Sequence, residues 1–432
     1  MNETVLVIST LSTQGEGIAR VEGKAVFTPF TLPGEVWRVR ISDRKKNYDR
    51  AFPIEMIERG DDSPERIMPA CPYFGSCGGC QLQHMPYESQ LEWKRLWLQD
   101  TFRRVGHIQI EANPAVSSPP WEYRNKITLS LRIVQGKIVF AFHHVQQPNR
   151  PVAVNDCPIA HPLIRQCMPF VIQALNQSRP RLRQAERGRS QGSRVQFHAA
   201  GGKISLVFFD AVFSSSAADA LSDKIFQADV PISEIVLGEA SGDKVRSVSY
   251  YPDQELIDSN AGSAFFQVND AIRERLYQYI LDLPFRKKKS ALDGYCGAGL
   301  LTRRLAERFE HITGVESNSS AVEEALGQIE MNHSEDDITF VNQTMEDFFE
   351  QNNESFDVVI LNPPRAGLSE TVRRQLLQKM PPEMAVISCH PAALARDLRV
   401  LTGQGYEIQS VQPFDMFPQT YHLETVVHVI HP

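Results

Sequence analysis

Nowhere in this chain of 432 residues does an apolar run reach membrane-spanning length, which for a helix is about 20 residues. A helical membrane protein is therefore not expected, and Met1-Asn2-Glu3 opens no secretory leader. Internal repeats and low-complexity tracts are missing, as are a disorder bias and the periodicities of collagen and coiled coils. These absences leave a cytoplasmic globular protein, long enough for two or three domains. An overall excess of positive charge is lacking too, since the net charge is -7. Bulk attraction to a nucleic acid is thus not expected. Locally the cations cluster: Arg38, Arg40, Arg44, Lys45, Lys46 and Arg50 in one stretch, Arg179, Arg181, Arg183, Arg187, Arg189 and Arg194 in a second, Arg286-Lys287-Lys288-Lys289 in a third. One such run is usually a solvated face. Three in an acidic chain favour contact with a polyanion.

The first 60 residues read as short strands, Thr4–Ser9, Ala25–Phe30, Glu35–Ile41 and Ala51–Ile57, separated by turn signals such as Glu22-Gly23 and Pro33-Gly34. That pattern is a small β-barrel, a common platform for single-stranded nucleic acid. Asp61-Asp62-Ser63-Pro64 is a linker. Residues 61–262 form a second, α+β region, with an amphipathic helix over Tyr87–Val105 and strands at Ile127–Ile133, Lys137–Phe142, Arg194–Ala199 and Ile204–Phe209. Seven cysteines in a reducing compartment argue for metal or catalysis over disulfides. Cys71, Cys77 and Cys80 surround glycines that let the backbone curl, and Cys157 is a remote fourth. Such a set suits zinc or an iron–sulfur cluster, and three clustered cysteines plus one distant favour the cluster. Cys167, in an apolar context, reads as core.

From residue 263 to 432 strands and helices alternate, the pattern of an α/β domain. Ser290–Gly299 is a strand running into a glycine-rich turn ahead of the helix Leu300–Phe309, and Ile312–Glu316 is a second strand ending in an acid. The nicotinamide fingerprint GxGxxG is absent, and the strand, glycine turn and helix with an acid-ended second strand point to an adenosyl cofactor, Glu316 being placed to take its ribose hydroxyls. Cys296 reads as a turn residue. Phe356–Leu361 is a buried strand, followed by the stiff loop Asn362-Pro363-Pro364-Arg365. Further on, Val386-Ile387-Ser388-Cys389-His390-Pro391 puts Cys389 at the lip of a strand, because proline ends the ladder and helix formers follow. Ligands and chemistry gather at that edge of open α/β sheets.

Joined to Gly15-Glu16-Gly17, Leu32-Pro33-Gly34-Glu35, Ala264–Asn269, Pro363–Gly367 and His422-Leu423-Glu424, these motifs resemble the bacterial RNA 5-methyluridine methyltransferases along essentially the whole chain. The resemblance implies a Rossmann-like S-adenosylmethionine-dependent methyltransferase domain, an N-terminal TRAM barrel and a central α+β iron–sulfur domain. It implies a 4Fe–4S cluster on Cys71, Cys77, Cys80 and Cys157, and S-adenosylmethionine held by Gln267, Tyr295, Glu316 and Asn362. Cys389 would be the nucleophile and Glu424 the general base. Barrel plus cluster domain is similar to the 23S rRNA branch, taken to differ from the tRNA branch in having both. The implied partner is 23S rRNA, with a uridine in an exposed loop, and the implied state a monomer. One position departs: the family pattern has Asp where this chain has Asn362, which keeps an acceptor oxygen but no charge.

Other readings remain open at this point. A 5-methylcytidine enzyme typically carries a second cysteine in the 362–365 loop, absent here. An amino-group methyltransferase explains Asn362 but leaves Cys389 and Glu424 idle, and has an aromatic residue where Arg365 stands. A catalytically lapsed rRNA-binding or assembly factor is the non-enzyme alternative.

Overall fold

The computed structural model describes residues 3–183, 192–228, 230–241, 244–251, 254–257, 267–329 and 337–432, with backbone alone from 238 to 257 and at 329. Arg187, Arg189 and Ala264–Phe266, singled out above, lie outside the described residues. Two compact units emerge: Met1–Thr10, Gly15–Pro86 and Pro119–Gly262 in one, Leu11–Gln14, Tyr87–Ser118 and Ser263–Pro432 in the other.

The first unit contains a six-stranded sheet whose core is Leu6, Ile8, Ala19, Val26, Val39 and Ala51. Strand Gly17–Val21 was not evident in the sequence, and it depends on its first residue: a Cβ on Gly17 would lie 2.0 Å from Thr31 Oγ1. Glu35 ties the turn before it. Its buried carboxylate accepts from the Leu32 N–H, from the Trp37 indole and from Arg66. Four of the six cations of the first cluster are paired, Arg38 with Glu55, Arg40 with Glu3, Lys45 with Asp43 and Arg50 with Glu16. This stretch is therefore a laced ion-pair surface more than a bare positive patch.

The same unit holds an eight-stranded sheet, covered by helices Pro162–Ser178 and Ser215–Phe226 that bury Met168, Val171 and Leu221 against Leu129, Phe197 and Leu206. Cys167 is fully buried in that core, as expected. Of the second basic cluster, Arg179 caps a helix in the left-handed conformation and Arg194 lays its guanidinium over the Phe209 ring at 5.0 Å.

In the second unit a seven-stranded sheet runs, by order of appearance in the chain, third, second, first, fourth, fifth, seventh, sixth. In space these are Ile338–Asn342, His311–Glu316, Ser290–Gly294, Val358–Leu361, Glu383–Ser388, Glu424–Ile430 and Glu407–Phe414. The first five strands are parallel, and Glu424–Ile430 is antiparallel to both neighbours. Parallel strands buried on both faces read as continuous apolar runs, which is how Val358–Leu361 and Glu383–Ser388 stood out. The order reverses between Ser290–Gly294 and Val358–Leu361, opening the crevice that such sheets use for ligands. Helix Tyr87–Thr101 belongs to this unit. Its buried stripe is Gln90, Lys94, Trp97, Leu98 and Thr101, while Leu96 is exposed, so the inward face takes Trp97 and Leu98 from the apolar set and adds two long polar side chains, Gln90 and Lys94.

Candidate active site

At the crevice, the strand Ser290–Gly294 turns sharply through Tyr295, Gly297 and Gly299, all at positive φ. Glycine is required at the last of these, where a Cβ would lie 2.3 Å from the Phe340 ring. Asp293, buried under the turn, accepts from the Thr302 hydroxyl at 2.6 Å, and burial pushes its carboxyl up to about 7. Glu316 ends the adjacent strand and binds the turn, accepting from the Gly297 N–H at 3.1 Å and the Asn318 N–H at 2.8 Å. Asn362, across the reversal, donates its backbone N–H to Gly294 O at 3.1 Å. Gln267 lies two residues before Asn269, the cap of helix Asp270–Asp282. The Cys296 thiol points to Gly297 O and is held protonated by burial, as suits a turn residue.

The second focus is Cys389, half-buried between strand Glu383–Ser388 and helix Pro391–Thr402, whose first turn is capped by His390. Register pairs Ser388 with Thr425, so the nucleophile candidate follows on one strand what Glu424 precedes on its antiparallel neighbour. Chain distance hides this closeness. Burial pushes the Cys389 thiol up, the Glu424 charge adds to that, and the Arg365 guanidinium, hydrogen-bonded to the sulfur, pulls it back. Glu424 is 3% exposed, and burial raises its carboxyl to about 8 against the pull of Arg365. Arg365 thus stands by both. Its turn is clamped to the helix behind Cys389: Asp397 accepts from Leu368 N–H at 2.8 Å and Arg373 at 2.9 Å, and Arg396 donates to Ala366 O at 2.9 Å.

Cys389 and Arg365 line a cavity of about 480 Å³ whose walls include Trp97, Tyr421 and His422. The Tyr421 and His422 rings lie 4.3 Å apart. Aromatic rings thus stand in the cavity wall, though not at the residue after Pro363-Pro364. The Trp97 Nε1–H, buried, has no hydrogen-bond partner among the described residues. The third basic cluster lies at the opposite end of the sheet, where the backbone N–H of Arg286 donates to Glu383 at the start of its strand.

Cys71, Cys77, Cys80 and Cys157 are brought into one another's electrostatic reach: Cys80, raised to about 12 chiefly by burial, feels all three others. The Gly79 N–H donates to Cys77 Sγ at 3.4 Å. Among the described residues no group of three or more His, Cys, Asp or Glu is arranged to hold a metal ion. Phe74, inside the cysteine segment, meets the barrel's Phe30 edge-on at 4.9 Å.

A family model described as tRNA (uracil-5-)-methyltransferase matches residues 86–431, and a TRAM domain model matches residues 3–52. The chain belongs to the tRNA (uracil-5-)-methyltransferase family. Similar proteins include uncharacterized RNA methyltransferases of Halalkalibacterium halodurans, 31% identical over 98% of this chain and 96% of the other, and of Thermosynechococcus vestitus, 32% identical with the same coverage. The 23S rRNA (uracil(1939)-C(5))-methyltransferase RlmD of Photorhabdus laumondii is 29% identical over 99% of this chain and 96% of the other. Among solved structures, the Pyrococcus abyssi tRNA (uracil-54, C5)-methyltransferase with S-adenosyl-L-homocysteine shares the fold, at TM-score 0.73 and 23% identity, over 99% of this chain and 100% of that one.

This methyltransferase is therefore an S-adenosylmethionine-dependent RNA uracil-5 enzyme with an N-terminal TRAM barrel. Among the described residues, no helix of this methyltransferase is long and apolar enough to cross a membrane. The structure joins Cys389, Arg365 and Glu424, and separately joins Glu316 and Asn362 to the turn around Tyr295. Sequence reasoning missed Lys94, Trp97 and Asp397. Polar Gln90 and Lys94, one turn apart in an amphipathic helix, were the available signal.

Proposed function

We propose that this enzyme methylates C5 of a uridine in 23S rRNA, with Cys389 as nucleophile and Glu424 as general base. The observation that carries the mechanism is that Cys389 and Arg365 line one cavity, with Glu424 buried next to its lining residue Leu423 and within the field of both. Uracil C5 is too weakly nucleophilic to be methylated directly. The Cys389 thiolate adds to C6, and the C5–C6 π electrons move onto C5 and the C4 carbonyl as an enolate. Arg365 lowers the cost of the thiolate and stands where negative charge is handled. S-adenosylmethionine, when bound, supplies an electrophilic methyl group that C5 takes, the methyl–sulfur electrons leaving with the sulfur. Glu424 carboxylate then removes the C5 proton, and the C–H electrons restore the C5–C6 double bond as the Cys389 thiolate is expelled. A flipped-out or looped uridine reaches such a site, with Trp97, Tyr421 and His422 as stacking surfaces.

Tyr295, Glu316, Asn362 and Gln267 are the proposed holders of S-adenosylmethionine. The glycine cradle fits a closely approaching ligand, and Glu316 Oε2 keeps a lone pair beyond its bond from the Gly297 N–H for a ribose hydroxyl, while Oε1 already accepts from the Asn318 N–H and the Ser317 hydroxyl. Asn362 offers an amide in place of the family's carboxylate. The choice of 23S rRNA rests on the RlmD relative. Incubating the enzyme with methyl-labelled cofactor and either 23S rRNA or tRNA transcripts, followed by nucleoside analysis, tests it. We expect 5-methyluridine in the rRNA. Label in tRNA alone moves the substrate, and bound but unlabelled rRNA favours the lapsed binder.

In this reading residues 1–60 are the RNA-binding barrel, 61–262 the cluster- and RNA-binding region, and 263–432 the catalytic domain, which helix Tyr87–Thr101 joins. The all-thiolate set Cys71, Cys77, Cys80 and Cys157 suits a 4Fe–4S cluster by donor chemistry, and its sulfurs lie within one another's field. The reaction needs no redox step. A cluster there would brace the segment that sets Phe74 against Phe30. Anaerobically purified protein should contain iron and acid-labile sulfide, and stoichiometric zinc without iron would contradict the assignment.

A further inference from the structure

Helix Tyr87–Thr101 carries an ion pair that the reaction as written does not use. Lys94 Nζ lies 2.6 Å from Asp415 Oδ1, and neither side chain is exposed at all. The same ammonium donates to Phe417 O at 3.2 Å. Four residues earlier on the helix, Gln90 donates to Gln419 Oε1 at 3.0 Å and accepts from the Gln419 N–H at 3.1 Å. Asn269 adds a bond to Met416 O at 3.3 Å. All these contacts fall on the segment between strands Glu407–Phe414 and Glu424–Ile430.

Two facts give that segment its importance. Phe414, immediately before Asp415, is the cross-strand partner of Glu424. The segment's other end runs through Tyr421 and His422, in the cavity wall, directly into Glu424. A buried ion pair is a poor device for stability alone, since apolar residues of like volume often serve as well or better. It does impose one geometry, because an ammonium and a carboxylate out of water tolerate little displacement.

We propose that the Lys94–Asp415 pair is a positioning device for Glu424, fixing the end of the strand pair from which the base reaches C5. The inference rests on the reading of Glu424 as the base. In this inference Lys94 acts through the place of the segment it holds, and the cation that bears on the Glu424 carboxyl is Arg365.

The test is the double variant Lys94→Met with Asp415→Leu, which removes both charges together and so leaves neither one buried alone. Full-length protein is incubated with 23S rRNA and S-adenosylmethionine, and the methylated covalent protein–RNA complex is followed by intact mass as it forms and decays. We expect a cooperative melt close to the wild type, normal formation of the complex, and release slowed about 10- to 100-fold, the effect of a small misplacement of a reacting group. Release at the wild-type rate overturns the inference. So does a collapse of the melt, which would make the pair part of the core. Glu424→Gln in parallel separates the levels. A complex that accumulates with Glu424→Gln but not with the double variant sinks this inference alone, whereas accumulation with neither sinks the reading of Glu424 as well.

Discussion

Glu424→Gln should leave methylated RNA covalently attached to the protein, with release of free product slowed by about 10²- to 10⁴-fold, the usual contribution of a positioned base. Glutamine has the shape of the residue it replaces and cannot take the C5 proton, so addition and methyl transfer proceed and elimination stalls. The pH dependence follows from the burial of this carboxyl, which raises it to about 8. Carboxylate is the working form. Wild-type release should therefore climb about tenfold per pH unit below that value and level off above it, and the glutamine variant should be flat. Stability runs the other way. The folded value lies above the unfolded one of about 4.3, so the group's contribution is fully present below the unfolded value and is lost as pH rises through about 8. At pH 9 the glutamine variant should melt higher than the wild type, by about 2–4 °C for each kcal/mol recovered in a domain of this size. Free product from Glu424→Gln at the wild-type rate would remove the residue from the role of base.

Cys389→Ala should lower turnover by about 10⁴- to 10⁶-fold, as loss of a covalent nucleophile does elsewhere, while RNA and cofactor binding stay nearly intact. The half-buried thiol is small and sits at a strand lip, so the substitution alters stability by only about 1 kcal/mol. Its reactivity belongs to the neighbourhood. Burial and the Glu424 charge favour the thiol, and Arg365 favours the thiolate. A neutral Glu424 therefore helps Cys389 ionise, and once the sulfur has become a neutral thioether its charge no longer opposes the Glu424 carboxylate. The two groups are arranged to be anionic in turn. Normal product from Cys389→Ala would refute the nucleophile assignment.

What the sequence made legible is local. A β-branched run ending at Cys389 and Pro391, and glycines before helix Leu300–Leu305, are signals held within a few residues, and both edges lie where expected. Helix Pro162–Ser178 was not read, because Pro169 stands inside it and breaks the helical pattern. The barrel strand Gly17–Val21 escaped for want of an apolar alternation. Pairings distant in sequence left no such mark. Glu424 meets Cys389 through strand register, and Lys94 finds Asp415 across 321 positions. The cations of the barrel illustrate the converse: their clustering was plain, but their partners Glu3, Glu16 and Glu55 became visible only with the strands in place.

The central claim is a covalent reaction on Cys389 completed by Glu424. It is tested most directly with 23S rRNA carrying 5-fluorouridine, incubated with the enzyme and S-adenosylmethionine and examined by intact mass and peptide mapping. Fluorine at C5 cannot leave as a proton does, so elimination stops and the intermediate persists. The expected result is a cofactor-dependent, methylated RNA adduct on the peptide containing Cys389. Bound RNA with no adduct, or an adduct on any other residue, would contradict it.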